Sequence, residues 1–339
     1  MLPVSEEKAP VRAPLLEVRN LTVRFPLRAP VFARGRHQIT AVDGVSFSIH
    51  RGEVFALVGE SGSGKTSLAR AIVWVRRPDG GSVLFNGVDL ATLNGKQLRM
   101  SRRGFQMVFQ DPYSSLDPHQ TIGRILSEPL RVHRVSNVRS RVYELLTLVG
   151  LEPAFAARFP HEFSGGQLQR VGIARALALK PALLVCDEPV SALDVSIRAQ
   201  VINLLIRLQR ELGLSYLLIA HDLGIVRQIA DVTAVMYLGK IVEIGTNDNV
   251  FNHSGHPYTV ALMSAVPVPN VTVERNRKRI ILVGEIPSPG VTITGCRFHT
   301  RCWLRTRLGD PEICTSVEPP LEGRVDHSIA CHFTGEVMR

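Results

Sequence analysis

Residues 52–73 read GEVFALVGESGSGKTSLARAIV. Val54 to Val58 make a short apolar run suited to a buried strand. Gly59, Glu60, Ser61, Gly62, Ser63, Gly64, Lys65 and Thr66 then fit Gly-x-x-x-x-Gly-Lys-Ser/Thr, with Ser67 following. Glycines let such a loop turn tightly, so that its N–H groups converge on phosphate oxygens. Lys65 supplies a point charge for the β- and γ-phosphates and the Thr66 hydroxyl a ligand for Mg²⁺, while a helix starting here adds positive potential. Past Gly64, Leu68, Ala71, Ile72 and Val75 fall on one helical face. A glycine-rich turn that merely joins strand to helix is the plainer reading, but strand before and helix after are the context a phosphate loop requires.

Outward from this loop the chain alternates. On its N-terminal side lie strand-like segments (LLEVRNLTVRF from Leu15, then AVDGVSFSI from Ala41) and, just beyond it, SVLFNGVDL with an Asn86-Gly87 hairpin signal. Residues 27–40 read as a loop insertion and residues 1–14 as a disordered tail. A helical block covers about 120–180, with Gly150 placed to end a helix. ALLVCDEP (182–189) and SYLLIAHD (215–222) read as buried parallel strands. Between them Ile197, Val201, Leu204, Leu208 and Leu212 form one helical stripe that stops at Gly213, and VTAVMYLGKIVEIG (232–245) reads as a Gly-Lys hairpin. This pattern predicts an α/β core with an antiparallel part and an inserted helical subdomain.

A phosphate loop alone does not separate kinase, GTPase and ATPase. Asp187, at the end of an apolar run, suits a role around Mg²⁺, and Glu188 beside it suits activation of an attacking water. His221, ending what reads as a neighbouring strand, is within reach of a γ-phosphate; taken alone it would be a surface histidine. Two adjacent glycines in Ser164-Gly165-Gly166-Gln167 open a helix with no acid, base or thiol of their own, a mouth suited to an anion.

In this order the loop, Gln110 in MVFQDP, SGGQ (164–167), LLVCDEP, SALD (191–194) and AHD (220–222) resemble the ABC ATPase family, from about Leu15 to Gly245. The resemblance implies a P-loop NTPase (RecA-like) core with an antiparallel β subdomain, an ATP-binding domain over 15–250 and a helical subdomain over about 111–180. It implies two cassettes paired head to tail, with Ser164, Gly165, Gly166 and Gln167 of one reaching ATP held by the other. It further implies Glu188, His221 and Gln110 as catalytic residues, Thr66, Gln110 and Asp187 around Mg²⁺, Asp194 facing the second subunit, and Phe25 stacking on adenine. Phe25 also reads as a core aromatic of an early strand. Phe163 before SGGQ, Leu168 after it and Thr66-Ser67 depart from the commoner residues. Leu168 is expected to remove a charge near the opposed nucleotide while leaving the donors in place.

FQDPYSSLDPHQTIGRILSEPL (109–130), HPYTVALMSAVP (256–267) and GEIPSPGVTITGCRFHTRC (284–302) resemble the oligopeptide/dipeptide importer branch. That resemblance implies a second ABC ATPase subunit, two transmembrane permease subunits and an external binding protein as partners, at the cytoplasmic face of the membrane. Residues 251–339 form a separate C-terminal region in which Cys296, Cys302, Cys314 and Cys331 cluster. Their spacing is not that of a zinc ribbon, and a disulfide set does not suit a reducing cytoplasm. The resemblance implies a [4Fe–4S] cluster on the four thiolates; zinc, with His299 or His332 included, and plain buried thiols are the alternatives.

Bulk properties bound these readings. The 339-residue chain is 45% hydrophobic and 21% charged, an ordinary globular balance. The longest uncharged stretch, 256–273, holds Pro257, Pro267 and Pro269, and the opening MLPVSEEKAPVRAP lacks the apolar core of a secretory signal, so a cytoplasmic chain is expected. A net charge of +10 keeps alive a soluble ABC ATPase acting on nucleic acid or ribosomes, with an ATPase of an exporter as a further alternative. Aromatics at 6% and scattered arginines give no base-stacking surface, so no nucleic-acid partner is expected.

Overall fold

Residues 13–26, 38–266, 279–287, 293–324 and 326–337 are described by the computed structural model. Two sheets organise them. Strands β1 (Leu16–Pro26), β2 (Gln38–Ile49), β4 (Gly80–Phe85) and β5 (Val88–Asp89) form an antiparallel sheet in the order β2-β1-β4-β5. The other sheet runs β11-β12-β10-β9-β3-β8-β7-β6, built from β3 (Val54–Val58), β6 (Phe105–Val108), β7 (Leu183–Asp187), β8 (Ser215–Ile219), β9 (Val232–Tyr237), β10 (Lys240–Thr246), β11 (Glu322–Arg324) and β12 (His327–Ile329). From β9 through β6 its strands are parallel; β10, β12 and β11 add antiparallel edges.

The apolar runs alternate faces as a strand must. Val54, Ala56 and Val58 point into a core shared with the helices, while Phe55 and Leu57 point into a second core against the antiparallel sheet. Burial on both faces explains why β3, β7 and β8 read as unbroken apolar runs. Helix α1 (Lys65–Ile72) covers the second face; α6 (Gly165–Leu177) and α7 (Val195–Leu212) cover the first. Helix α2 (Gly95–Ser101) precedes β6, and between β6 and β7 the chain makes α3 (Pro112–Ser115), α4 (Ile122–Val132), α5 (Val138–Leu148) and α6, the inserted helical part. Gly150, at φ 73°, follows the end of α5 as expected.

Four local expectations need correction. Val75 lies beyond α1 and is 64% exposed, because the helix ends at Val73 and Trp74 turns into the left-handed region. Leu212 is exposed at the end of the α7 stripe, next to the turn at Gly213. The β9–β10 turn is made by Leu238 and Gly239, both at positive φ, while Lys240 already belongs to the strand. Residues 38–40 are strand rather than loop, pairing with Arg24 to Pro26; 27–37 and 1–12 lie outside the described residues.

Candidate nucleotide site

The loop from Gly59 to Gly64 leaves the C-terminal end of β3 and feeds α1, whose first residue is Lys65. Both end glycines are required by packing. A Cβ on Gly59 would lie 2.2 Å from the Met236 carbonyl oxygen and one on Gly64 2.1 Å from that of Ala41, each at a positive φ. Lys65 is buried, its Nζ donating to the carbonyls of Gly59 (2.8 Å) and Glu60 (2.9 Å), and burial holds its pKa below the usual lysine value. The ammonium is thus held by the loop's own carbonyls.

The acids arrive from β7, which β8 separates from β3. Thr66 Oγ1 donates to Asp187 Oδ1 at 3.0 Å, joining the loop to the strand end. Burial raises the Asp187 carboxyl while the Thr66 hydrogen bond opposes the rise. A hydroxyl and a carboxylate oxygen held together are donors that suit a hard cation such as Mg²⁺. Glu188 stands at φ 46°, an uncommon conformation for a side-chain-bearing residue, and its N–H is tied to the Ile219 carbonyl on β8. Its carboxylate receives two neighbours at Oε2: Gln110 Nε2 at 3.0 Å and His221 Nδ1 at 3.3 Å. The structure therefore gathers Thr66, Gln110, Asp187, Glu188 and His221 at the C-terminal ends of the parallel strands, where ligands bind in open α/β sheets.

Ser164 is exposed and caps α6, its Oγ accepting from the Gln167 N–H at 3.4 Å while Gln167 Oε1 accepts from the Ser164 N–H at 3.0 Å. Gly165 is half-buried, with Leu193 and Tyr113 near it. Gly166 is different: a Cβ there would lie 2.2 Å from Ile197 Cγ2, so its missing side chain is used by α7 packing within the chain. Asp194 is exposed at the start of α7, beside Val195, which is 81% exposed.

The profile of the ABC transporter family matches residues 42–191, and that of the oligopeptide/dipeptide transporter C-terminal region matches 242–307. The oligopeptide transport ATP-binding protein AppF of Bacillus subtilis is 49% identical over 324 residues, covering 94% of this chain and 97% of its own. The chain belongs to the ATP-binding proteins of oligopeptide/dipeptide ABC transporters. OppF of Salmonella typhimurium is 49% identical over 326 residues (94% of this chain, 96% of its own), and the dipeptide transport ATP-binding protein DppF of Escherichia coli 44% over 331 (97% of both). A dimeric post-hydrolysis ATP-binding cassette bound to ADP and phosphate superposes with a TM-score of 0.60 at 28% identity, covering 68% of this chain and 98% of that one. As a member of this family the chain is an ATP-hydrolysing transport subunit, which sets aside the nucleic-acid and exporter alternatives.

Some family-derived expectations change on this scaffold. Leu168 is fully buried in the helix-side core, so it does not face an opposed nucleotide, and a charge at this position would be buried. Phe163 packs edge-on against Phe155 at 5.5 Å. Phe25 lies on β1 with the Arg76 guanidinium 3.9 Å above its ring.

All four clustered cysteines, with His299 and His332, line one small cavity of about 20 Å³. All are free thiols, and burial pushes Cys296 up to about 12 and Cys331 to about 11, so without a cation these two stay protonated. Among the described residues no three His, Cys, Asp or Glu side chains stand close enough to hold a metal ion. The donor types suit a thiolate-bound metal; the spacing found is that of a thiol-lined cavity rather than a formed centre.

Two connections had no sequence signal. Arg175 on α6 is half-buried and donates through Nη1 to the Ser115 carbonyl at 2.5 Å, tying the segment after Gln110 to the helix that Ser164 caps. Arg301 donates from the C-terminal region into the phosphate loop at Glu60.

Proposed function

We propose that this chain is the nucleotide-hydrolysing subunit of a di- or oligopeptide importer, working as one of two head-to-tail cassettes at the cytoplasmic face of the membrane. Residues 15–250 form its ATP-binding domain and 251–339 its C-terminal region. ATP sits in the 59–67 loop, with Phe25 on adenine. Ser164 to Gln167 of the second cassette close over the γ-phosphate, with Asp194 at the seam. That closed pair satisfies the γ-phosphate from both sides, so ATP shifts the equilibrium toward it and hydrolysis releases it.

The chemistry rests on Glu188, whose carboxylate is held by Gln110 and His221 next to the Thr66–Asp187 pair. This single observation carries the reading. Thr66, Asp187 and Gln110 would hold Mg²⁺, which would neutralise phosphate charge. Glu188 orients water and takes its proton as the water oxygen bonds to the γ-phosphorus; the bond to the β-phosphate oxygen breaks, giving ADP and phosphate. His221, released toward the nucleotide, hydrogen-bonds the γ-phosphate.

Two permease subunits and an external binding protein complete the system. A cleft of about 740 Å³ between β6 and the helical part, lined among others by Arg102, Phe109, Gln110, Val132 and Arg175, is the seat proposed for a permease helix. Among the described residues no helix is long and apolar enough to cross a membrane. Co-purification tests this: two membrane proteins and ATP-dependent peptide uptake are expected, and recovery with ribosomes or DNA instead would overturn it.

Convergence of Cys296, Cys302, Cys314 and Cys331 on one cavity supports an iron–sulfur cluster there, with zinc as the alternative. Anaerobically purified protein should absorb in the visible and contain iron; a colourless, iron-free, zinc-loaded preparation would end the cluster reading.

A further inference from the structure

Glu60, the second residue of the phosphate loop, is fixed at three points. Its carbonyl accepts from Lys65 Nζ at 2.9 Å. Its backbone N–H donates to the Tyr258 hydroxyl at 2.8 Å. Its carboxylate is gripped by both terminal nitrogens of Arg301, at 2.8 and 3.2 Å. Two of those three holds come from beyond residue 250.

Neither partner is a casual surface contact. Tyr258 is fully buried, its ring tilted against those of Tyr237 (4.7 Å) and Phe298 (5.4 Å). The Arg301 side chain is only 8% exposed, Nη1 also lies 3.4 Å from the Tyr237 hydroxyl, and among the described residues its buried Nε has no hydrogen-bond partner. A two-pronged guanidinium–carboxylate contact fixes direction as well as distance. Arg301 immediately precedes Cys302, and Pro257, the neighbour of Tyr258, lines the cysteine cavity. The C-terminal region therefore reaches the phosphate loop through residues adjacent in sequence to those that line the cysteine cavity.

We infer that Arg301 and Tyr258 are positioning residues of the ATP site, holding the first half of the phosphate loop in its receiving shape through Glu60. Neither touches the reacting atoms. The inference rests on the proposed ATP site at residues 59–67. Because the grip acts on loop shape before chemistry, its loss weakens nucleotide binding and leaves the hydrolytic step standing.

The test is ATP·Mg²⁺ titration of the full chain by calorimetry, with steady-state hydrolysis in the assembled transporter. Arg301→Ala is expected to raise the ATP Kd and KM roughly ten-fold, with kcat within about two-fold, and Arg301→Lys to recover part of the loss. Tyr258→Phe, which keeps the ring and removes only the acceptor, should raise Kd several-fold and serves where the alanine variant does not fold. Wild-type affinity in folded Arg301→Ala or Tyr258→Phe protein would overturn the inference, as would a fall in kcat with KM unchanged. A wild-type chain that binds no ATP would instead remove the nucleotide site itself.

Discussion

Gln110 Nε2 lies 3.0 Å from Glu188 Oε2, a contact spanning 78 residues of sequence and joining the end of β6 to the end of β7. The glutamine opens the helical part and the glutamate follows the core strand, so the contact ties the two bodies together at the carboxylate. Arg175 continues the tie, from the Ser115 carbonyl back into α6. Displacing Gln110 therefore moves both the carboxylate's environment and the helix that Ser164 caps.

Glu188→Gln keeps the side-chain shape and removes the proton acceptor. Hydrolysis should fall at least about 100-fold while ATP still binds and the closed pair accumulates. Rapid-quench measurement of phosphate release, alongside size exclusion in ATP, checks both halves. Wild-type turnover would take Glu188 out of the chemistry.

Gly166→Ala should destabilise the chain by about 1–3 kcal/mol through overpacking, since the new methyl meets the stiff, β-branched Ile197. Adding Ile197→Ala should restore much of that loss in urea unfolding. A double variant no more stable than Gly166→Ala alone would assign the glycine to something other than α6–α7 packing.

His256 is buried with its imidazole pushed down from 6.5 to about 4, burial outweighing the pull of Glu243. Its folded pKa is depressed, so the unfolded chain binds the extra proton first as pH falls. Stability from this group is complete above about 6.5 and is lost progressively toward pH 4, by on the order of 3 kcal/mol in all. Its Nδ1 accepts from the Tyr258 N–H; His256→Asn offers an acceptor there without titrating. Denaturant midpoints for that variant should vary less between pH 7 and 5 than those of the wild type, measured in the same buffers; equal slopes would contradict the assignment.

What the sequence revealed followed the range of each interaction. The loop at 59–66 and the acids at 187–188 are local patterns whose spacing already implies their chemistry, and the alternating faces of β3, β7 and β8 follow from double burial. Boundaries read less well: one left-handed residue at Trp74 removed Val75 from its helix. Leu168 looked like a lost charge because a one-dimensional neighbour of Gln167 seemed bound to share its surroundings, whereas the helix turns it into the core. The grip of Arg301 on Glu60 spans 241 residues and leaves no periodic trace. Gly166 reads in the sequence only as part of a helix mouth suited to an anion; its packing against Ile197 is visible in the fold alone.

The most direct test of the two-cassette site pairs Ser164→Cys on one subunit with Ser61→Cys on the other, in the Glu188→Gln background of the assembled transporter. With ATP and Mg²⁺ a disulfide should form between the two subunits, and without nucleotide it should not. No inter-subunit bond in ATP, in protein shown to bind it, would contradict a nucleotide held between opposed cassettes.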